Sequence, residues 1–83
     1  MKVRLRYFAS VRESVGRGAE ERDTAASTLS GLRRELVALG APYAEALATG
    51  RAVRMALDQV MADEGTALRE GCEVAFFPPV TGG

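Results

Sequence analysis

Only one stretch of this chain has both the length and the apolar period of a helix able to cover a sheet. Leu29, Leu32, Leu36 and Leu39 recur at spacings of 3, 4 and 3. That spacing places them on one side of a helix, facing a core, with Arg33, Arg34 and Glu35 projecting elsewhere. Ser27 or Thr28 can supply the N-cap, and Gly40 sits where a left-handed residue closes a helix. The other apolar residues come mostly in short alternating runs. Val3, Leu5 and Tyr7 share one face of a segment whose other face is Lys2, Arg4 and Arg6; Phe8 is apolar on the polar side. Val53, Met55 and Leu57 alternate again, Asp58-Gln59 suits a turn, and Val60-Met61 can start a return strand. In Cys72–Phe77, Val74 and Phe76 fall on one face and Glu73, Ala75 and Phe77 on the other.

Lesser elements fill the gaps. Ala9–Val15 reads as a short helix closed by Gly16, and residues 17–24 as a polar edge strand. Pro42 can open a second short helix carrying Tyr43, Ala44, Leu47 and Ala48, with Gly50 as its stop. Leu68 is a lone apolar plug in a loop. Strands arranged around one main helix imply an α+β domain, a sheet of four to five strands with the helix on one face.

Composition narrows the function. At 83 residues the chain fits one small domain, which buries about 60% of its unfolded surface and has no room for a deep private pocket. Eleven basic residues balance eleven acidic ones, which argues against nucleic acid as the main partner. Lys2/Arg4/Arg6 and Arg33/Arg34 read as solvated faces. There is no histidine and one cysteine, Cys72, so no Ser-His-Asp or Cys-His device and no zinc site of the usual kind can be built within one chain. A single cysteine offers no internal disulfide, no run approaches the ~18 apolar residues of a membrane span, and charge interrupts the N-terminal segment. No membrane association and a cytoplasmic location are expected.

What remains is the end of the chain, Pro78-Pro79-Val80-Thr81-Gly82-Gly83. Two prolines remove backbone donors and hold the chain extended. Six extended residues reach roughly 20 Å, enough to carry a terminal carboxylate from a domain spanning residues 1–77 into a pocket on another protein. Glycine lets a backbone pass through a narrow channel and approach a reaction centre closely. Adenylation by ATP would activate the carboxylate, and a sulfur donor could then displace AMP to leave a thiocarboxylate. The bland alternative is a frayed terminus.

Phe8-Ala-Ser-Val-Arg-Glu-Ser-Val-Gly16 and Gly71-Cys-Glu-Val-Ala-Phe-Phe-Pro-Pro-Val-Thr-Gly-Gly83 resemble the small, sulfur-carrying subunits of molybdopterin synthase, the MoaD group of the ThiS/MoaD ubiquitin-like family. The resemblance covers essentially the whole chain; its C-terminal block is the specific part. It implies a β-grasp fold with a mixed sheet. It also implies that Gly83 is adenylated by an E1-like, MoeB-like enzyme using ATP and becomes the thiocarboxylate, with Gly82 beside it in the channel. The tail, Pro78, Pro79, Val80 and Thr81 included, would enter a MoaE-like large subunit that converts precursor Z to the molybdopterin dithiolene, in a heterotetramer of two small and two large subunits. Phe8, Met61 and Phe77 match the family's apolar docking patch, and Arg12 a family arginine whose role here can be a surface ion pair. The chain would bind no cofactor or metal of its own and would be a carrier subunit without a side-chain active site. Three positions depart from the family pattern. Leu57-Asp58-Gln59 replaces a Val-Asn turn, where Asp can still form an Asx-type turn. Met61 replaces the usual leucine, and Cys72 replaces a common acidic residue, reading as a small strand-entry residue in preference to a sulfur relay. A carrier for another pathway, such as thiamine thiazole synthesis, and a ubiquitin-like modifier of lysines remain as alternatives.

Overall fold

The N-terminal alternation becomes strand β1, Lys2–Tyr7, with Val3, Leu5 and Tyr7 buried and Lys2, Arg4 and Arg6 exposed. The computed structural model describes residues 1–48 and 50–79. Helix α1, Ala9–Val15, ends at Gly16, whose φ of 91° is the left-handed closure expected there. The polar segment forms β2, Ala19–Asp23. Helix α2 is Leu29–Ala38; the Thr28 hydroxyl caps it, accepting the Gly31 N–H at 3.1 Å. Helix α3, Tyr43–Leu47, follows Pro42, and β3, Arg54–Leu57, turns back into β4, Val60–Met61. Strand β5, Glu73–Phe77, is the last element.

The five strands lie in the order β2-β1-β5-β3-β4. β1 and β5 run parallel at the centre, and every other pairing is antiparallel. This is the mixed β-grasp sheet that the resemblance implies. One core joins Leu29, Leu32 and Leu36 of α2 to Leu5, Tyr7, Met55, Val74 and Phe76 of the sheet, with Val11, Val15, Leu47 and the loop residue Leu68 around them. A fully buried leucine contributes about 1.5–3 kcal/mol, so the α2 stripe is the largest helical contribution to stability.

Two expectations about α2 are corrected. Leu39 is 50% exposed, because the helix ends at Ala38 and the residue lies past the last packing turn. Arg33 is not a solvated residue: it is 4% exposed. Its Nε donates to the Leu47 carbonyl at 2.7 Å, and its Nη2 donates to the carbonyls of Ala48 at 2.8 Å and Arg51 at 3.1 Å. Glu64 adds an ion pair at 3.5 Å. The guanidinium thereby ties α2 to the carbonyls at the end of α3 and in the loop beyond it, where Ala48 also accepts the Arg51 N–H.

A second polar anchor ties β2 to the core. Glu20 Oε2 accepts the hydroxyls of Tyr7 at 2.8 Å and Tyr43 at 2.6 Å. Tyr7 stacks on Phe76 with centroids 5.9 Å apart. Burial first, and the Glu20 carboxylate second, push the Tyr7 phenol well above its ordinary 10.0, and the same causes raise Tyr43.

Candidate functional site

Register determines which side chains share the outer sheet face, opposite the buried side chains of the same strands. Lys2 faces Asp23, and Arg4 lies between Glu21 and Glu73. Arg6 lies between Ala19 and Ala75, Ala56 lies between Ala75 and Met61, and Arg54 faces Phe77. The face is therefore divided: charged pairs over β2 and β1, and small and apolar residues over β5, β3 and β4 with Glu73 and Arg54 at their ends.

Phe8, Met61 and Phe77, which the resemblance groups, come together on the apolar half. They line one open hollow of about 370 Å³ with Ala56, Ala75, Arg6, Gln59 and Glu73. Ala56 and Ala75 are each 7% exposed, whereas Phe8 is 42% and Met61 59% exposed. A large aromatic and a methionine left this open around one hollow form the kind of patch that marks a binding surface.

Each residue is aimed by local structure. Tyr7 points inward, so Phe8 points outward by alternation, and its N–H donates to the Phe76 carbonyl at 3.1 Å. The chain then turns into α1 through Ala9, whose φ of 50° is left-handed. For a residue with a Cβ that conformation costs about 1–2 kcal/mol. Met61 is brought back by the β3–β4 turn, where Asp58 and Gln59 have φ of 49° and 69°. Two consecutive left-handed residues give a turn whose twist matches the strands. The Asp58 side chain does not serve a turn of its own: Oδ1 accepts the Glu73 N–H at 2.9 Å and Oδ2 accepts Arg69 at 2.7 Å. The Glu73 N–H bond, opposed by slight burial and aided by Arg69, lowers the Asp58 pKa from 3.8. The turn is thus fastened to the first residue of β5. Phe77 ends that strand.

Pro78 and Pro79 follow, both half-buried; Pro78 borders a small hollow with Ser10, Ser14 and Val53. Val80, Thr81, Gly82 and Gly83 lie outside the described residues. Cys72 is buried at the opposite end of β5 from Phe77, roughly 17 Å along the strand. That placement suits a small strand-entry residue. Arg12 forms no ion pair among the described residues; its guanidinium lies against Gly18, where an added Cβ would be 3.2 Å from Arg12 Cζ. Among the described residues no cluster of three or more metal-ligating side chains occurs, and no helix is long and apolar enough to cross a membrane.

Arg6 escapes the sequence reading, which groups it with Lys2 and Arg4 as a solvated strip. Its guanidinium carbon lies 5.4 Å from the Phe8 ring centroid and its Nη1 is 4.0 Å from Glu73, at the rim of the hollow. The floor residue Ala56 escapes it too, since alanine carries little signal in either period, whereas the alternation of the last strand already places Ala75 on the face of Phe77.

Comparison with known proteins points the same way. The sequence model of the ThiS family matches residues 5–83. The molybdopterin synthase sulfur carrier subunit of Escherichia coli (strain K12) is 40% identical over 81 residues, 98% of this chain and 99% of the relative. The subunit of the same description from Haemophilus influenzae is 36% identical over 77 residues, 93% of this chain and 94% of the relative. Among solved structures, the complex of subunits 1 and 2 of the molybdopterin-converting factor from Helicobacter pylori contains a chain that superimposes with a TM-score of 0.69 at 26% identity, covering all of both chains.

Proposed function

This chain belongs to the ThiS family, and from that membership we propose that it is the sulfur-carrier subunit of a molybdopterin synthase. Its Gly83 carboxylate attacks the α-phosphate of ATP on an E1-like, MoeB-like enzyme, forming an acyl adenylate and releasing pyrophosphate. A sulfur donor then displaces AMP, and the terminal thiocarboxylate passes into the large subunit, where its sulfur goes into the dithiolene made from precursor Z. Gly82 keeps the channel approach unhindered. Pro78 and Pro79 stiffen the exit, and Val80 and Thr81 line the insertion path. Phe8, Met61 and Phe77 hold the carrier against the large subunit, two copies of each assembling as a heterotetramer. The chain carries the reacting group but no side-chain catalyst, so the chemistry belongs to the partners.

The observation that carries this reading is the exit point. β5 is a central strand, and its last residue, Phe77, lies in the same hollow as Phe8 and Met61. A partner that covers this hollow therefore meets the chain at the residue after which the Pro-Pro-Val-Thr-Gly-Gly sequence begins. The test is intact-mass analysis of the chain produced with its activating enzyme and a sulfur source. A gain of about 16 Da, one oxygen replaced by sulfur, is expected on the full chain and not on one lacking Gly83. Removal of Gly83 should abolish dithiolene formation while leaving the melting temperature nearly unchanged, since a terminal residue contributes little to stability. Continued synthase activity from the truncated chain would disprove the reading. Higher-mass adducts on unrelated proteins would point instead to lysine conjugation.

A further inference from the structure

Among the outward cations of β1, register leaves Arg6 without an opposite charge across either neighbouring strand. Lys2 faces Asp23, and Arg4 has Glu21 on one side and Glu73 on the other, but Arg6 has Ala19 and Ala75. On the far side of β5, Arg54 faces Phe77. Among the described residues neither guanidinium makes a hydrogen bond, Arg54 has no ion pair, and Arg6 reaches a carboxylate only at 4.0 Å, through a side chain 46% exposed. Arg6 thus lines the apolar hollow and Arg54 stands next to Phe77 at its edge, in a chain whose formal net charge is zero.

Covering the hollow changes what these cations experience. A guanidinium presents five N–H donors, which water satisfies while the face is open. Once a partner seats on Phe8, Met61 and Phe77, that water leaves, and unpaired donors of a charged group cost more than an apolar contact returns. The partner must then supply acceptors at those two points, or the arginines would oppose docking. We infer that the surface covering this hollow presents an apolar side chain flanked by carboxylates set against Arg6 and Arg54, and that these two arginines determine which large subunit the carrier accepts. The inference rests on the reading that the hollow docks the large subunit.

The test is binding of the full chain to the purified large subunit of its own synthase, measured by titration calorimetry at about 50 mM and about 500 mM salt. The parent Kd should rise about tenfold or more with salt, as expected where charge complementarity contributes. Arg6→Met and Arg54→Met should each weaken binding at low salt, and the double variant should lose most of the salt dependence. Arg6→Lys should recover part of the affinity, since a point charge replaces a planar fork. Melting temperatures of the variants should stay close to that of the parent, because both arginines are exposed. Equal or tighter binding by the double variant, or an unchanged salt dependence, would overturn the inference. Phe77→Asp separates the two levels: if it binds normally, the docking reading fails, whereas if it loses binding while the double arginine variant keeps it, only the charge inference fails.

Discussion

At the scale of single residues, two positions run against the simplest reading of their type, and each has a measurable consequence. Arg33 is a cation in the core, and its worth lies in the carbonyls of Leu47, Ala48 and Arg51 that it satisfies. Arg33→Met keeps the volume but takes the donor from the Leu47 and Arg51 carbonyls, while Ala48 keeps the Arg51 N–H at 2.8 Å. A loss of about 3 kcal/mol in stability is expected by urea denaturation, the usual magnitude when one partner of a buried charged network is removed. Ala9 runs the other way. Its φ of 50° is strained for a residue with a Cβ, and nothing about the alanine methyl rewards it, since the residue is exposed. Ala9→Gly relieves the left-handed conformation at the cost of some unfolded-state entropy, leaving a net gain of about 0.5–1 kcal/mol. Because Phe8 would keep its hydrogen bond to Phe76, affinity for the large subunit should not change in that variant.

At the scale of elements, the β3–β4 hairpin shows how little chain is needed to place Met61. Its two turn residues are both left-handed, a geometry that Asn-Gly satisfies better than Asp58-Gln59. Gln59→Gly is expected to stabilise the fold by about 0.5–1 kcal/mol in chemical denaturation. Asp58→Ala should lower the melting temperature, because the Glu73 N–H loses its acceptor. That turn, the alternation of β1, the leucine stripe of α2 and the closure at Gly16 were legible in the sequence because each is a local signal: a period of two, a period near 3.6, or a glycine at a left-handed position. Phe8 and Phe77 were legible as apolar residues left off the inward faces. Long-range pairing was not legible. β1 and β5 come from opposite ends of the chain, and no local pattern states that they lie side by side. Yet that pairing sets Arg6 beside Ala75 and creates the floor of the hollow. Arg33 was misread for the same reason, since its partners lie on another helix and the loop beyond it. Met61, half of a two-residue strand, was marked by the family resemblance alone. The sheet margins have their own logic: β2 carries Glu20, Glu21, Arg22 and Asp23 at one edge, and β4 is only two residues long at the other, so neither invites another strand.

For the whole molecule, the absence of histidine removes the side chain that ordinarily titrates between about pH 5 and 8, so stability should be nearly level across that range and fall at both ends. The two arms have different owners. At the alkaline end the phenols of Tyr7 and Tyr43 hold their protons more tightly in the folded chain than at the ordinary 10.0, through burial and the Glu20 carboxylate. The unfolded chain then releases those protons first. The contribution is complete below pH 10 and is lost as pH rises beyond it. At the acid end burial works against the charge of Glu35, but hydrogen bonds from Thr24, Arg22 and the Ala25 N–H outweigh it and lower the pKa from 4.5. That contribution is present above 4.5 and is lost as pH falls through the lowered folded value. Each arm can be weakened separately. Tyr43→Phe should lessen the alkaline fall, with Tyr7 keeping its own share, at the cost of one hydrogen bond to Glu20 worth about 1 kcal/mol at neutral pH. Glu35→Gln should lessen the acid fall, leaving the share owed to Asp58, whose pKa is lowered from 3.8, and leave the alkaline one untouched. Thermal melts from about pH 3 to about pH 11 would record both. An alkaline fall that persists unchanged in a Tyr7→Phe, Tyr43→Phe double variant would show that the phenols sharing Glu20 do not control it. Neither arm involves Phe8, Met61 or Phe77, so across the level range these three apolar residues should give the proposed docking no pH dependence of their own.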